Sequence, residues 1–187
     1  MTALVVVSGI PGTGKSTVAG HAARLVPATL LSKDVFEAAL LRSGIDRAIG
    51  SGWASYEQLG AVAESQLRLG NAVVIDSVAT NERIRSVWRE LAAVHGARFL
   101  PIECICSDDR VHRSRVEGRD RHIPGWPELT WADVEEVRSR YEPWSDGTRL
   151  VLDAVRPLEE NLAALAGHLH GQIRARRAPR PRRAPMT

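Results

Sequence analysis

Short apolar runs rich in valine, isoleucine and leucine alternate along the chain with longer stretches in which apolar residues recur every three or four positions. The first kind reads as buried strands and the second as helices with one apolar face. The pattern predicts five strands, at 3–8, 29–31, 72–75, 98–105 and 149–152. It predicts seven helices, near 15–25, 34–43, 54–69, 82–94, 108–118, 131–141 and 158–172. Thr130 to Asp133 has the spacing of a capping box, and Pro157 suits a first helical turn. This alternation predicts parallel pairing through right-handed crossovers, hence a three-layer α/β/α sandwich with a five-stranded parallel sheet. Ligands of such sheets gather at the carboxyl ends of the strands, just after residues 8, 31, 75 and 105.

Composition narrows the class without changing the architecture. With 187 residues, 44% hydrophobic and 25% charged, the chain suits one soluble domain. No apolar run approaches the roughly 18–20 residues of a membrane span, and residues 3–7 are too short for a signal peptide. A cytoplasmic protein with no membrane partner is expected. Cys104 and Cys106, one residue apart in a strand, read as reduced, mostly buried thiols rather than a disulfide or a zinc site. The net charge of +3 comes from the end of the chain, where six arginines fall between 174 and 183. Without them, 19 basic residues face 22 acidic ones. The chain therefore divides into a domain at 1–172 and an Arg/Pro-rich tail at 173–187 expected to lack fixed structure. The tail reads either as a solvated terminus or as a handle for nucleic acid or another polyanion.

Directly after the first strand stands Gly9-Ile-Pro-Gly-Thr-Gly-Lys-Ser-Thr17, a full match to the phosphate-binding pattern G-x-x-x-x-G-K-[ST] in its required strand–loop–helix setting. Gly9, Gly12 and Gly14 permit a tight turn, and the backbone from Thr13 to Thr17 offers N–H groups to phosphate oxygens at a helix start. Lys15 supplies a point charge to the β- and γ-phosphates, and Ser16 a hydroxyl to Mg²⁺. Lys15 is expected to face solvent in the empty site. The motif implies ATP and Mg²⁺ as cofactors. Guanine-specific N-K-x-D is absent, and Asp76 is followed by Ser-Val-Ala rather than by a switch motif.

Other candidates follow at the strand ends. Asp34, after the second strand, is placed either to take the proton of an acceptor hydroxyl or to cap its helix. Asp76 ends a Walker-B-like strand, where it would hold Mg²⁺ through water, orient an acceptor, or stand as a buried structural acid. Arg85 either reaches back over the acceptor or pairs on the surface. In the charged segment after the fourth strand, Arg115 and Arg119 share a helix face and could converge on one phosphate. Gly118 offers a hinge, so 108–128 reads as a short helical lid, against the alternative of a solvated helix. Trp126, between two prolines, could line the acceptor or nucleotide pocket.

Taken together, the P-loop, Ser32-Lys-Asp34, Asp76 with Thr80-Asn81 and Arg85, and the R-x-x-x-R pair at 115 and 119 resemble the polynucleotide-kinase-like group of P-loop kinases. ATP-binding proteins labelled as AAA-domain or predicted kinases belong with that group, and zeta-toxin and gluconate-kinase families are more distant. The resemblance covers residues 3–165. It implies that Lys15 and Ser16 serve ATP and Mg²⁺, that Asp34 is the general base, and that Arg115 or Arg119 is the lid arginine. Kinases of nucleic-acid 5′ ends usually carry an arginine three residues after the base, where this chain has Glu37. An acid there would repel a polyanion and favours a small hydroxylated acceptor. The leading expectation is a small-molecule kinase; the alternatives are a nucleic-acid 5′-hydroxyl kinase and a nucleotide-dependent regulatory protein.

Overall fold

A computed structural model describes residues 2–118, 122–145 and 147–174. Five strands, β1 (Ala3–Ser8), β2 (Ala28–Ser32), β3 (Ala72–Asp76), β4 (Arg98–Ile105) and β5 (Leu150–Asp153), form one sheet in the order β2-β3-β1-β4-β5. Every pairing is parallel. The helices are α1 (Lys15–Leu25), α2 (Lys33–Arg42), α3 (Ser51–Arg68), α4 (Glu82–Val94), α5 (Asp109–Glu117), α6 (Trp131–Arg140) and α7 (Leu158–Arg174). The expected three-layer α/β/α sandwich is the observed fold.

The central strand explains the layers. All six residues of β1 are buried, because a parallel strand covered on both faces needs a continuous apolar run. Its alternate side chains divide between two cores. Ala3, Val5 and Val7 pack with Val18, Ala22, Leu165 and Leu169 of α1 and α7. Leu4 and Val6 pack with Leu59, Ala63, Trp88 and Ala92 of α3 and α4. The register places Val7, Asp76 and Ser32 in one row across β1, β3 and β2. Three chain segments therefore leave the sheet side by side at its carboxyl edge.

Local signals set the helix starts. Asn81 caps α4 by accepting from the Ile84 N–H, Asp108 caps α5 through the Arg110 and Val111 N–H groups, and Thr130 and Asp133 form both bonds of a capping box. Cys104 is buried and Cys106 partly buried, and neither forms a disulfide. Burial drives the Cys104 thiol up to about 12, so it stays protonated. Among the described residues no helix is long and apolar enough to cross a membrane. Helix α7 runs to Arg174; residues 175–187, which carry most of the predicted tail and its nucleic-acid reading, lie outside the described residues.

Arg85 corrects an expectation. It neither reaches over an acceptor nor pairs on the surface, for it is fully buried. Its guanidinium donates to the carbonyls of Ala79 (3.0 Å), Pro143 (3.1 Å) and Glu142 (2.6 Å), and it stacks 4.5 Å from the Trp144 ring centroid and 5.1 Å from that of Tyr141. Ala79 has φ 49°, a left-handed conformation that a non-glycine residue holds only when its surroundings dictate it. Arg85 therefore braces the loop after β3 against the segment after α6. Replacing it with alanine strands three carbonyls and empties a large site, so Arg85→Ala should lower unfolding free energy by about 3 kcal/mol or more. Arg85→Lys should recover only a minor part, since an ammonium cannot match the planar fork. Urea denaturation of the three proteins decides; a loss below about 1 kcal/mol would show that the brace is dispensable.

Candidate active site

The loop between β1 and α1 is shaped by close approach. A Cβ built on Gly9 would stand 2.1 Å from the Cys104 carbonyl oxygen of β4. One on Gly12 would stand 2.6 Å from Val116 and 2.9 Å from His112, both on α5. Gly9, Gly12 and Gly14 all have positive φ (137°, 90° and 86°). Gly14 differs in facing open space, with nothing within 4 Å of the position a methyl group would take. The loop is therefore packed on its floor and open at its mouth. Thr13 is buried and bonds the Ile10 carbonyl at 2.8 Å, so its hydroxyl holds the loop's shape. Ser16 is partly buried and Thr17 exposed, at the start of α1.

Lys15 does not face solvent as expected; it is 6% exposed. Its aliphatic stem packs beneath the loop, and Nζ donates to the Ile10 carbonyl at 3.4 Å. Asp76 is buried at the end of β3 and accepts a bond from Ser32 Oγ at 3.4 Å. A hydroxyl (Ser16) and a carboxylate (Asp76) are hard oxygen donors of the kind that suit Mg²⁺ alongside water and phosphate oxygens. Asp34 sits in the first turn of α2, partly exposed, two residues beyond the row shared by Ser32, Asp76 and Val7. The Ser32 side chain makes no cap bond to α2.

Glu37 carries more than the sequence suggested. It is 1% exposed and is held by Lys33, by Arg47 Nε at 3.1 Å and by Ser51 Oγ at 3.3 Å. Two cations offset its charge, so it does not present a repulsive acid to an incoming anion. Trp126 closes the cluster from the side, with Lys33 Nζ 5.7 Å and the Arg47 guanidinium 5.4 Å from its ring centroid. Tyr56 also lies against Lys33, its ring centroid 5.7 Å from Nζ and its hydroxyl near the Ala79 backbone. Burial first, with the charges of Asp34 and Glu37 assisting, lifts the Tyr56 phenol to about 12. Trp126 and Asp34 thus both lie near the Lys33–Tyr56 pair.

The segment predicted to be a lid is anchored at both described ends. His112 and Val116, the two buried residues of α5, lie against the loop. Arg115, although an exposed residue, donates from Nη2 to the Ala154 carbonyl at 2.8 Å. Farther on, Arg42 of α2 bonds the Pro124 carbonyl. Arg119 lies outside the described residues. The Arg115 contact borders a cleft of about 170 Å³ lined by Thr13, Gly14, Thr17, Leu152, Arg156 and Asn161. The β5–α7 residues were not singled out from sequence, and nothing in their spacing marks them. A larger cleft of about 490 Å³ lies elsewhere, between α3 and α4.

Residues 4–144 match the model of a family described as an AAA domain. An uncharacterized protein of Mycobacterium tuberculosis is 28% identical over 170 residues, which cover 85% of this chain. This chain spans only 33% of that relative's length. Among solved structures, one from Chloroflexus aurantiacus described provisionally as a kinase is 26% identical, with a TM-score of 0.72 over 91% of this chain and 97% of its own. A gluconokinase from Sinorhizobium meliloti (18% identical, TM-score 0.67, 95% and 98% covered) shares the fold. So does a Mycobacterium tuberculosis APS kinase in complex with AMPPNP and APS (18%, TM-score 0.63, 90% and 98% covered).

The glycines offer a direct check on how the loop is packed. Gly14→Ala incurs only the cost of a left-handed alanine, about 1–2 kcal/mol. Gly9→Ala adds a backbone clash and should cost at least about 2 kcal/mol more. Equal losses in urea melts of the two variants would contradict the packing described.

Proposed function

Because this chain belongs to the AAA-domain family of P-loop proteins, we propose that it is an ATP-dependent kinase that moves the γ-phosphoryl group to a hydroxyl of a small molecule. The observation that carries this reading is the single row of Val7, Asp76 and Ser32. It delivers the phosphate loop, a buried carboxylate and Asp34 to one edge of the sheet. ATP would lie with its phosphates on the backbone of Gly9 to Thr17 and its base toward the cleft beside Arg115, Arg156 and Asn161. Lys15 would serve the phosphates, and Ser16 and Asp76 would hold Mg²⁺. Bound Mg²⁺ supplies charge neutralisation on the β- and γ-oxygens.

In this assignment Asp34 accepts the proton of the acceptor hydroxyl as it attacks. Lys33, Tyr56 and Trp126 wall the acceptor side, Trp126 as a largely buried support. Arg115 would stabilise charge on the transferring group; α5 ends at Glu117, so the helix face it was expected to share with Arg119 does not extend to that residue. The domain at 1–172 would be sufficient for the reaction. A phosphate-bearing acceptor, including a nucleic-acid 5′ end, is the second reading. The observation in its favour is that Lys33 and Arg47 neutralise Glu37, which removes the acid's objection to anions. Fold alone does not choose between acceptors.

A thermal-shift and ATP-consumption screen over hydroxylated metabolites and 5′-hydroxyl oligonucleotides tests both. With an acceptor in hand, Asp34→Asn should lower kcat about 10²–10⁴-fold and leave KM for ATP within a few fold, because the amide cannot take the proton. Activity persisting in that variant would reduce Asp34 to a helix-end residue. Lys15→Met, which keeps the packed stem, should abolish turnover with little change in unfolding free energy. Near-normal phosphoryl transfer by this variant would sink the kinase assignment.

A further inference from the structure

His112 is fully buried on α5, beneath the phosphate loop. Its Nε2 lies 2.7 Å from the Pro11 carbonyl oxygen, and its Nδ1 lies 3.1 Å from Nη2 of Arg138. These partners leave one assignment. A carbonyl only accepts and a guanidinium only donates, so Nε2 carries the proton and Nδ1 is bare. The ring is the neutral Nε2–H tautomer. Its orientation is fixed further by an edge-on contact with Trp131, 5.2 Å between centroids, and Arg138 is held in turn by Asp109 (3.0 Å) and Glu135 (3.1 Å).

The Pro11 carbonyl belongs to the same peptide unit as the Gly12 N–H. That unit is trans and planar, so its C=O and N–H point in opposite directions. With the oxygen drawn down onto His112, the Gly12 N–H is turned away from that ring and from α5. Gly12, at φ 90° and without a Cβ, would tolerate the flipped peptide, so the glycine alone does not select this orientation. We propose that His112 is a positioning residue: by donating to Pro11 it holds the Pro11–Gly12 peptide with the Gly12 N–H aimed at the phosphates. Through Arg138 the same ring ties the phosphate loop to α6. The inference rests on the nucleotide-binding reading of the loop, and it makes the first two turns of α5 part of the site's floor rather than a mobile cover.

A pH dependence follows from the contacts. The groups facing the ring are the Pro11 carbonyl from the loop, Asp109 from α5, and Arg138, Glu135 and Trp131 from α6. Burial first, then the Arg138 guanidinium, lower the His112 pKa, while the Pro11 bond and the carboxylates of Asp109 and Glu135 oppose them. A base whose folded pKa is depressed binds its proton more readily when unfolded. Its contribution is therefore complete above the ordinary value near 6.5 and is lost as pH falls below that toward the folded pKa. Protonated Nδ1–H would face the Arg138 donor, and the clamp would open.

The experiment uses the full chain and ADP·Mg²⁺ as probe, by titration calorimetry between pH 8 and pH 5.5. His112→Ala should weaken ADP binding about tenfold or more at pH 8, as a bond to a buried acceptor is lost. His112→Gln can donate to Pro11 from Nε2 and accept from Arg138 at Oε1, so it should bind within about threefold of the parent. The parent's affinity should fall more steeply toward the acid end of the range, as the lowered pKa of the folded ring is approached, than that of the glutamine variant, which carries the ligand's own titration and not the ring's. Separately, imidazole nitrogen NMR shifts in nucleotide-free protein should report the neutral Nε2–H tautomer at pH 7. The proposal is overturned if alanine binds within twofold of the parent, if glutamine behaves like alanine, if parent and glutamine variant share one pH profile, or if the ring is the Nδ1–H tautomer. Should the alanine variant not fold, the glutamine and NMR arms decide. A parent protein that fails to bind ADP would overturn the kinase reading itself, and the tautomer would still show whether the clamp exists.

Discussion

The phosphate loop exists in its present place because backbone meets backbone with no side chain between. Gly9 lies so near the Cys104 carbonyl that even a methyl group is excluded, and from that contact the loop is forced to rise from the centre of the sheet over the end of β4. The next constraint acts at Gly12, pressed upon Val116 and His112. Between these two contacts the loop has a floor made of β4 on one side and α5 on the other. Only the mouth at Gly14 is open, which is where a helix start and bare N–H groups can meet an anion.

Around this loop, buried charge is used for bracing. Arg85 lies among carbonyls and aromatic rings, with its long reach stitching the loop after β3 to residues 142–144. Glu37 gathers Lys33, Arg47 and Ser51 beneath the acceptor side. Glu103, on the far side, receives Tyr141 at 3.0 Å and Arg149 at 2.6 Å. Each is a charge withdrawn from water with its hydrogen-bonding capacity met, the condition under which burial is tolerable. Their shared effect is to hold loops at the carboxyl edge that have little apolar surface of their own.

Strand and helix positions were legible because the chain is locally consistent: five apolar runs became five strands, and most helix bounds differ from expectation by no more than a residue or two. The phosphate loop was legible for a different reason, since its chemistry restricts residue type at fixed spacing. What escaped was reach. Arg85 bonds carbonyls 57 and 58 positions away, and no local pattern records such a partner. Glu37 was read as an acid that repels a polyanion because its partners Arg47 and Ser51 lie 10 and 14 residues on, outside its own helix. Lys15 was expected in solvent because its charge was weighed and its four-carbon stem was not. His112 and Val116 lie one helical turn apart and are the two buried positions of a mostly charged helix. The sequence reading did not single His112 out, and no local pattern could have named its partner at Pro11, 101 residues earlier.

The order of strands has a consequence for how this molecule is made. β1 leaves the ribosome before either of its neighbours in the sheet, Val73–Asp76 and Arg98–Glu103. The most hydrophobic strand of the sheet therefore waits until Val73–Asp76 has been made before its first edge can be covered, and until Arg98–Glu103 for its second. Closing such long loops is slow compared with local helix formation. During that interval a bare run of alanine, leucine and valine is exposed beside a glycine-rich segment that cannot shield it. Helix α1, which follows at once and packs Val18, Ala19 and Ala22 on Ala3, Val5 and Val7, covers one face of β1 before either edge is paired.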